Sequence, residues 1–444
     1  MKESQLLPYQ RKTIKTGVDN PKYAFLLDMG LGKTVCTLSI LKTLLNRSEV
    51  LKPLIIAPKF VVSDTWPNEL ASWEHLNGFT MSLIIGNPEE RIAAVHRNAD
   101  IYVVSRDNII WLVEYLGRKW TYDMLIIDES SNFKNHTSKR FKAVKSILPK
   151  LKRLLELTGT PIPNGLIDLW AQMFLIDGGE RLYKFKESFR AIYYHPTKAL
   201  AHGAMQYAIN KGAEDLIYEK IKDRCLSMRS CDYLDLPERR DIIRELYLDA
   251  EEMAAYNDFK RDKILETPEG QITAFNSSSI YGKLLQFSNG AVYDENKNWH
   301  VVHDKKLNLL EEVIEESLGH NVIVCYQFQS DLARIMARFP NAVHVKKDAQ
   351  IKAWKAGEIQ LMVCHAESIG EGLNLQSGGH IMIWFGLTNK AEKYWQMVKR
   401  IDRPGQKYMV SNIILLVHGT SEYKVHRSIL DKTYNQDKLF EALK

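Results

Sequence analysis

What this chain lacks narrows its class before any motif is read. It has five cysteines in 444 residues, and only Cys225 and Cys231 are close together. That spacing is neither a disulfide framework nor a common zinc pattern, so a reducing compartment is the natural setting. No run of about 18 apolar residues occurs, so neither a membrane span nor a membrane partner is expected. The opening MKESQLLPYQ carries no apolar run of the signal-peptide kind. Glycine and proline, 24 and 14 residues, are not enriched, and neither low-complexity stretches nor short-period repeats stand out. Charge of neither sign dominates: 60 Lys and Arg stand against 54 Asp and Glu, a net +6. This balance permits a polyanionic partner without requiring one. The composition, 45% hydrophobic and 26% charged, is that of a globular enzyme, expected in the cytoplasm.

The length is too great for one ordinary core and suits two or three domains. Short runs rich in Val, Ile and Leu punctuate the first part: AFLLD (24–28), PLIIAP (53–58), SLII (82–85), IYVVS (101–105), MLIID (124–128) and LLELT (154–158). Each is continuous rather than alternating, which predicts strands buried on both faces of a parallel sheet. From about 165 the texture changes to aromatic and charged residues at helical spacing. The strand-like runs return with NVIVCY (321–326), QLMVC (360–364), HIMIWF (380–385) and NIILLV (412–417). LNLLEEVIEESL (307–318) reads as an amphipathic helix, and the tail beyond 420 as helical. The expected fold class is α/β, with a first lobe over 1–163, a mainly helical insertion and linker over 164–300, and a second lobe with a C-terminal helix over 301–444.

The sharpest local signal is DMGLGKT (28–34), after the strand AFLLD and before the apolar helical stretch VCTLSILKTLL (35–45). Strand, glycine-containing loop and helix are what a phosphate loop requires. Gly30 and Gly32 allow the backbone of Met29, Gly30, Leu31 and Gly32 to curl so that its amides face an anion, and the helix N-terminus adds partial positive charge. Lys33 is placed to reach the β- and γ-phosphates of ATP, and Thr34 to offer its hydroxyl to Mg2+. The strict phosphate-loop pattern has Gly where this chain has Leu27. MLIIDES (124–130) supplies the acidic half of such a site: Asp128 for Mg2+, partly through water, and Glu129 to polarise the attacking water. Gln396, Arg400 and Arg403, spaced by four and three, would share one helical face and could insert as arginine fingers into an opposite lobe's site.

The order of these motifs resembles superfamily 2 helicases, specifically the SWI/SNF-type branch of double-stranded DNA translocases. LLPYQ (6–10) looks like the adenine-recognition motif, which assigns Gln10 to the base edge. DMGLGKT resembles motif I, PLIIAPKFVVSDTWPNEL (53–70) motif Ia, VVSRDNI (103–109) motif Ib and LTGTPIPN (157–164) motif III. NVIVCYQFQSDL (321–332) resembles motif IV, ESIGEGLNLQ (367–376) motif V and YWQMVKRIDRPGQ (394–406) motif VI. The resemblance implies two RecA-like lobes, ATP and Mg2+ as cofactors, and ATP contacts from Gly370 and Gln396. It assigns Thr158, Gly159 and Thr160 to coupling hydrolysis with movement, and Gly372 and Asn374 to the nucleic-acid backbone. Lys134, in the basic stretch FKNHTSKRFKAVK (133–145), is a further candidate for a backbone phosphate. Ser131 stands where the family's DEAH-type box has His, which implies a different link from motif II to motif III.

The function implied is an ATP-dependent motor on duplex or branched DNA, tolerant of sequence, separating, migrating or remodelling strands as repair, replication and recombination require. The compact outline resembles viral or bacterial members, and hence a bacterial or virus-infected host cytoplasm, with a nucleus also open. Two other readings stand beside it: an RNA helicase of the DEAD type, and an ATP-gated nucleic-acid clamp that does not translocate. The DESS box, LTGTPIPN and QMVKRIDRPGQ speak against the first, and Lys33, Glu129, Arg400 and Arg403 against the second.

Overall fold

The computed structural model describes residues 1–199, 205–267, 270–274, 277–346, 348–368 and 373–444. The chain divides into two compact units, Met1–Leu234 with Lys432–Lys444, and Asp235–Asp431.

In the first unit the continuous apolar runs become strands: β1 (Lys22–Leu27), β2 (Pro53–Ala57), β3 (Met81–Ile84), β4 (Ile101–Ser105), β5 (Met124–Asp128) and β6 (Arg153–Thr158). A strand with apolar side chains on both faces must be covered on both, and helices do this here. Leu26, Ile56, Leu125 and Ile127 pack on one side, and Phe25, Ile55, Ile126 and Leu155 on the other. The sheet is parallel throughout and has seven strands in the order β3-β4-β2-β5-β6-β1-β9, the last being Cys225–Met228. Two features of that order matter for chemistry. The strand β6 lies between β5 and β1, and parallel pairing aligns Leu26 with Thr158 and Asp128 with Leu157. The loops leaving β1, β5 and β6 therefore emerge side by side at one edge, the crevice where open α/β sheets bind ligands.

The stretch 164–300 divides between the two units. Its helices, among them Leu169–Asp177, Lys186–Tyr193 and Ala213–Ile221, alternate with strands. The pair β7 (Tyr194–Ala199) and β8 (Met205–Ile209) forms an antiparallel ribbon, while β9 (Cys225–Met228) joins the first sheet beside β1. Residues 432–444 also return to this unit, where Leu439, Phe440 and Leu443 are buried.

In the second unit β10 (Arg239–Leu246) begins the sheet. Two small antiparallel pairs follow, β11 (Ile264–Thr267) with β12 (Gly270–Thr273) and β13 (Ala291–Tyr293) with β14 (Trp299–Val301). The strands β15 (Val322–Tyr326), β16 (Val343–His344), β17 (Leu361–His365), β18 (Ile381–Trp384) and β19 (Val410–Val417) complete a parallel sheet of order β10-β19-β18-β15-β17-β16. The amphipathic helix expected at 307–318 spans Lys305–Glu316 and buries Leu307, Leu310 and Val313. Among the described residues no helix is long and apolar enough to cross a membrane.

Candidate nucleotide site

The loop after β1 has the backbone its glycines permit. Gly30 has φ +86° and Gly32 φ +75°, conformations that a side chain disfavours. Gly32 is the residue before the helix Lys33–Asn46, so the loop delivers its amides to a helix N-terminus. Lys33 folds back over the loop, its Nζ donating to the carbonyls of Leu27 at 2.9 Å and Asp28 at 3.4 Å. Met29, Gly30 and Thr34 are half-buried and Leu31 is buried beneath. Gln10 is buried against the same loop: a Cβ added to Gly32 would lie 2.4 Å from its Nε2. Its Oε1 accepts from the Leu7 amide at 2.9 Å, fixing the side chain at the start of the helix Pro8–Asp19.

The acidic pair sits at the end of β5. Asp128 accepts from the indole Nε1 of the fully buried Trp66 at 3.3 Å. Glu129 adopts the left-handed conformation, φ +55° and ψ +58°, which costs about 1 kcal/mol or more for a residue with a side chain. Asn132 helps to hold it there, donating from N and Nδ2 to the Glu129 carbonyl at 3.0 and 3.1 Å. The third loop closes on the other two. A Cβ on Gly159 would meet the Leu27 carbonyl at 3.2 Å and Lys33 Nζ and Met29 at 3.4 Å, so a side chain there would press on the phosphate loop. Thr158 and Thr160 are buried, and the Thr160 amide donates to Thr158 Oγ1 at 3.1 Å. Lys134 is half-buried and lies within electrostatic reach of Asp168. Thus Gln10, the phosphate loop, Asp128, Glu129 and Thr158–Thr160 gather in the first unit.

The second unit holds the other candidates. Gly370 and Gly372 lie outside the described residues, and Asn374 is exposed. Gln396 is buried, donating to Glu392 at 3.3 Å and accepting from Lys393 at 2.9 Å. The expectation that Gln396, Arg400 and Arg403 share a helical face is corrected here. The helix spans Ala391–Val398 and ends before either arginine. Pro404 lacks the N–H that an i→i+4 bond to the Arg400 carbonyl would use. That carbonyl accepts from Leu375 instead, at 3.0 Å, and Arg400 NH1 donates to the Leu373 carbonyl at 3.1 Å. Arg400 is therefore buried against the motif V segment, while Arg403 is half-buried.

Four contacts were not foreseen. Asp28 accepts from the Ser230 hydroxyl at 2.6 Å and amide at 3.2 Å, tying the phosphate loop to the segment after β9. Gln436 donates to the Gly159 carbonyl at 3.2 Å. Gln172 and Glu156 are buried, and both bond to Ser130, the residue after Glu129. The last two carried a readable signal, since each is the sole polar side chain in an apolar run, LWAQMFLI and LLEL. Buried polar groups require hydrogen-bond partners, so each marks a tertiary contact to be found. The other two contacts span some 200 residues or more and had none.

A phosphate loop, an acidic strand end and a third loop at one edge of a parallel sheet, with a second parallel sheet in the same chain, define a two-lobed nucleotide-binding α/β protein. The model of the SNF2-related domain matches residues 24–291, and this chain belongs to that family. A putative protein p41 of Acyrthosiphon pisum secondary endosymbiont phage 1 is 34% identical over 451 residues, covering 98% of this chain and 98% of that protein. The probable ATP-dependent DNA helicase CHR23 of Arabidopsis thaliana is 25% identical over 427 residues, which are 89% of this chain and 39% of the plant protein. The chain thus matches the phage protein nearly end to end and under half of the plant one. The solved SWI2/SNF2 ATPase core of Sulfolobus solfataricus in complex with dsDNA is similar at 22% identity and a TM-score of 0.46, covering 99% of this chain and 94% of that one.

Proposed function

We propose that this chain is an ATP-dependent DNA translocase, coupling ATP hydrolysis to movement on duplex or branched DNA. The observation that carries the reading is the meeting of the phosphate loop, the Asp128–Glu129 pair and the Thr158–Thr160 loop at one sheet edge in an SNF2-family chain. Lys33 exchanges the Leu27 and Asp28 carbonyls for phosphate oxygens, and the loop amides take the rest. Gln10, already seated on Gly32, is aimed at the adenine edge. The Thr34 hydroxyl at the helix start and the Asp128 carboxylate held by Trp66 are hard oxygen donors that would hold Mg2+, partly through water. Bound there, the ion would supply neutralisation of charge on the β- and γ-phosphates. Glu129, fixed by its unusual backbone, orients and polarises the attacking water. Arg403 is assigned to the charge developing on the γ-phosphate, and Arg400, held on the Leu373 carbonyl, to the motif V segment. Thr158, Thr160, Lys134 and Asn374 are assigned to coupling and to the DNA backbone. Phosphate contacts of this kind carry no base readout, so binding is sequence-tolerant and falls steeply with salt.

The test is turnover against nucleotide binding in three variants. Lys33→Ala should lose both. Glu129→Gln and Arg403→Ala should bind ATP and hydrolyse it at about a hundredth of the wild-type rate or less. Wild-type turnover in Glu129→Gln would remove the assignment of the general base, and with it the site.

A further inference from the structure

Ser131, in the place of the family's histidine, is fully buried, and its Oγ has no hydrogen-bond partner among the described residues. It makes no side-chain bridge to the third loop. One residue earlier, Ser130 is also fully buried, and its Oγ bonds to Gln172 Oε1 at 3.0 Å. Gln172 lies on the helix Leu169–Asp177. Its Nε2 donates to the Pro161 carbonyl at 2.8 Å and to the Asp168 carbonyl at 3.1 Å. We propose that Gln172 is a positioning residue that couples the Glu129–Ser130 turn to the Thr158–Asn164 loop, replacing the bridge that residue 131 does not make.

The direction of this chain of bonds follows from its chemistry. Two carbonyls can only accept, so they take the amide NH2 and leave Oε1 facing Ser130. The Ser130 hydroxyl must then donate to Oε1, and its lone pairs remain for a donor. Glu156 is the hydrogen-bonding neighbour, buried on β6, with its Oε1 lacking any partner among the described residues. Burial raises the Glu156 carboxyl well above its usual range, against the lowering effect of the Ser130 hydrogen bond. The chain of bonds then runs from Ser130 to Gln172, and from Gln172 to Pro161 and Asp168. Both ends suit transmission. Glu129 beside Ser130 holds a strained backbone, and Pro161 and Pro163 stiffen the receiving loop. The Asn164 amide, capped by Asp168 at 2.8 Å, ties the far end of that loop to the same helix.

The inference rests on ATP binding at the phosphate loop, and the test separates the two. Amide hydrogen exchange is followed in the full chain with and without Mg2+ and ATPγS. In the wild type, nucleotide should slow exchange at Gly30–Thr34 and also at Ile162 and Asn164. Gln172→Met keeps the shape and removes the bonds. It should keep the first protection and lose the second. Its KM for ATP should stay within about twofold, while duplex-stimulated kcat falls about tenfold. Ser130→Ala should reproduce that exchange pattern, and carries the comparison should Gln172→Met fold poorly. Wild-type protection of Ile162 and Asn164 in both variants would overturn the coupling role alone. Absence of protection at Gly30–Thr34 in the wild type would overturn the ATP reading, and the inference with it.

Discussion

His303 shows how far one buried side chain can set a response to pH. Burial, reinforced by the Arg334 guanidinium, holds its pKa down at about 4, against about 6.5 for an unfolded histidine. Between those values the unfolded chain binds a proton that the folded chain refuses, so His303 withdraws stability as pH falls from about 6.5 toward 4. Asp331 acts in the opposite sense. Burial pushes its carboxyl up to about 6, so from there down to about 4 the folded chain holds the extra proton and gains stability. His303→Phe removes the first effect and keeps the second. The variant should match the wild type at pH 7.5 and exceed it by about 2 kcal/mol at pH 5, read from urea unfolding. A difference that does not change with pH would contradict a neutral buried ring. At this scale the placement of the candidate residues was legible where a motif set them on a strand end or beside a loop, as with Lys33, Thr34, Asp128 and Glu129. Their supports, Trp66 on Asp128 and Ser230 on Asp28, depend on pairings that only the folded chain brings about.

At the scale of elements, a buried polar network joins several pieces of the second unit. Lys306, fully buried on the helix Lys305–Glu316, donates to Asn289 at 2.9 Å and pairs with Glu422. Asn289 donates to Asp331 at 2.9 Å, and Asp331 accepts from the Phe328 amide at 2.8 Å in the motif IV loop. Arg334 donates to the carbonyls of Asn289 at 2.6 Å and His303 at 2.7 Å. Removing one charge strands the other in a medium that cannot solvate it. Lys306→Met should therefore destabilise by about 3 kcal/mol or more. The double replacement Lys306→Met with Glu422→Leu should recover much of that loss. A double variant no more stable than the single one would show that the pair does not account for the cost. The ten expected strands all formed, because a continuous Val, Ile and Leu run admits little else between turn residues. Less legible was the stretch 164–300, where β9 and β10 lie among helices. The edge strand β10, RRDIIREL, exposes Ile242 and Ile243 and lacks the buried pattern that marks a central strand. Pro404 sets a bound on the helix Ala391–Val398, which ends six residues before it.

At the scale of the molecule, the α/β class and the presence of two parallel sheets followed from apolar periodicity, and the family from the order of the motifs. Where the units divide, at Leu234 and again at Asp431, did not. The return of residues 432–444 to the first unit is a long-range packing event, driven by burial of Leu439, Phe440 and Leu443. We assign ATP turnover to the first lobe's sheet edge and propose DNA as the track. Both meet in one assay: the steady-state ATPase rate of the full chain with blunt duplex, forked DNA or single-stranded RNA at fixed salt. The account predicts stimulation by duplex or forked DNA of about tenfold or more, and little by RNA. Equal stimulation by single-stranded RNA would contradict it.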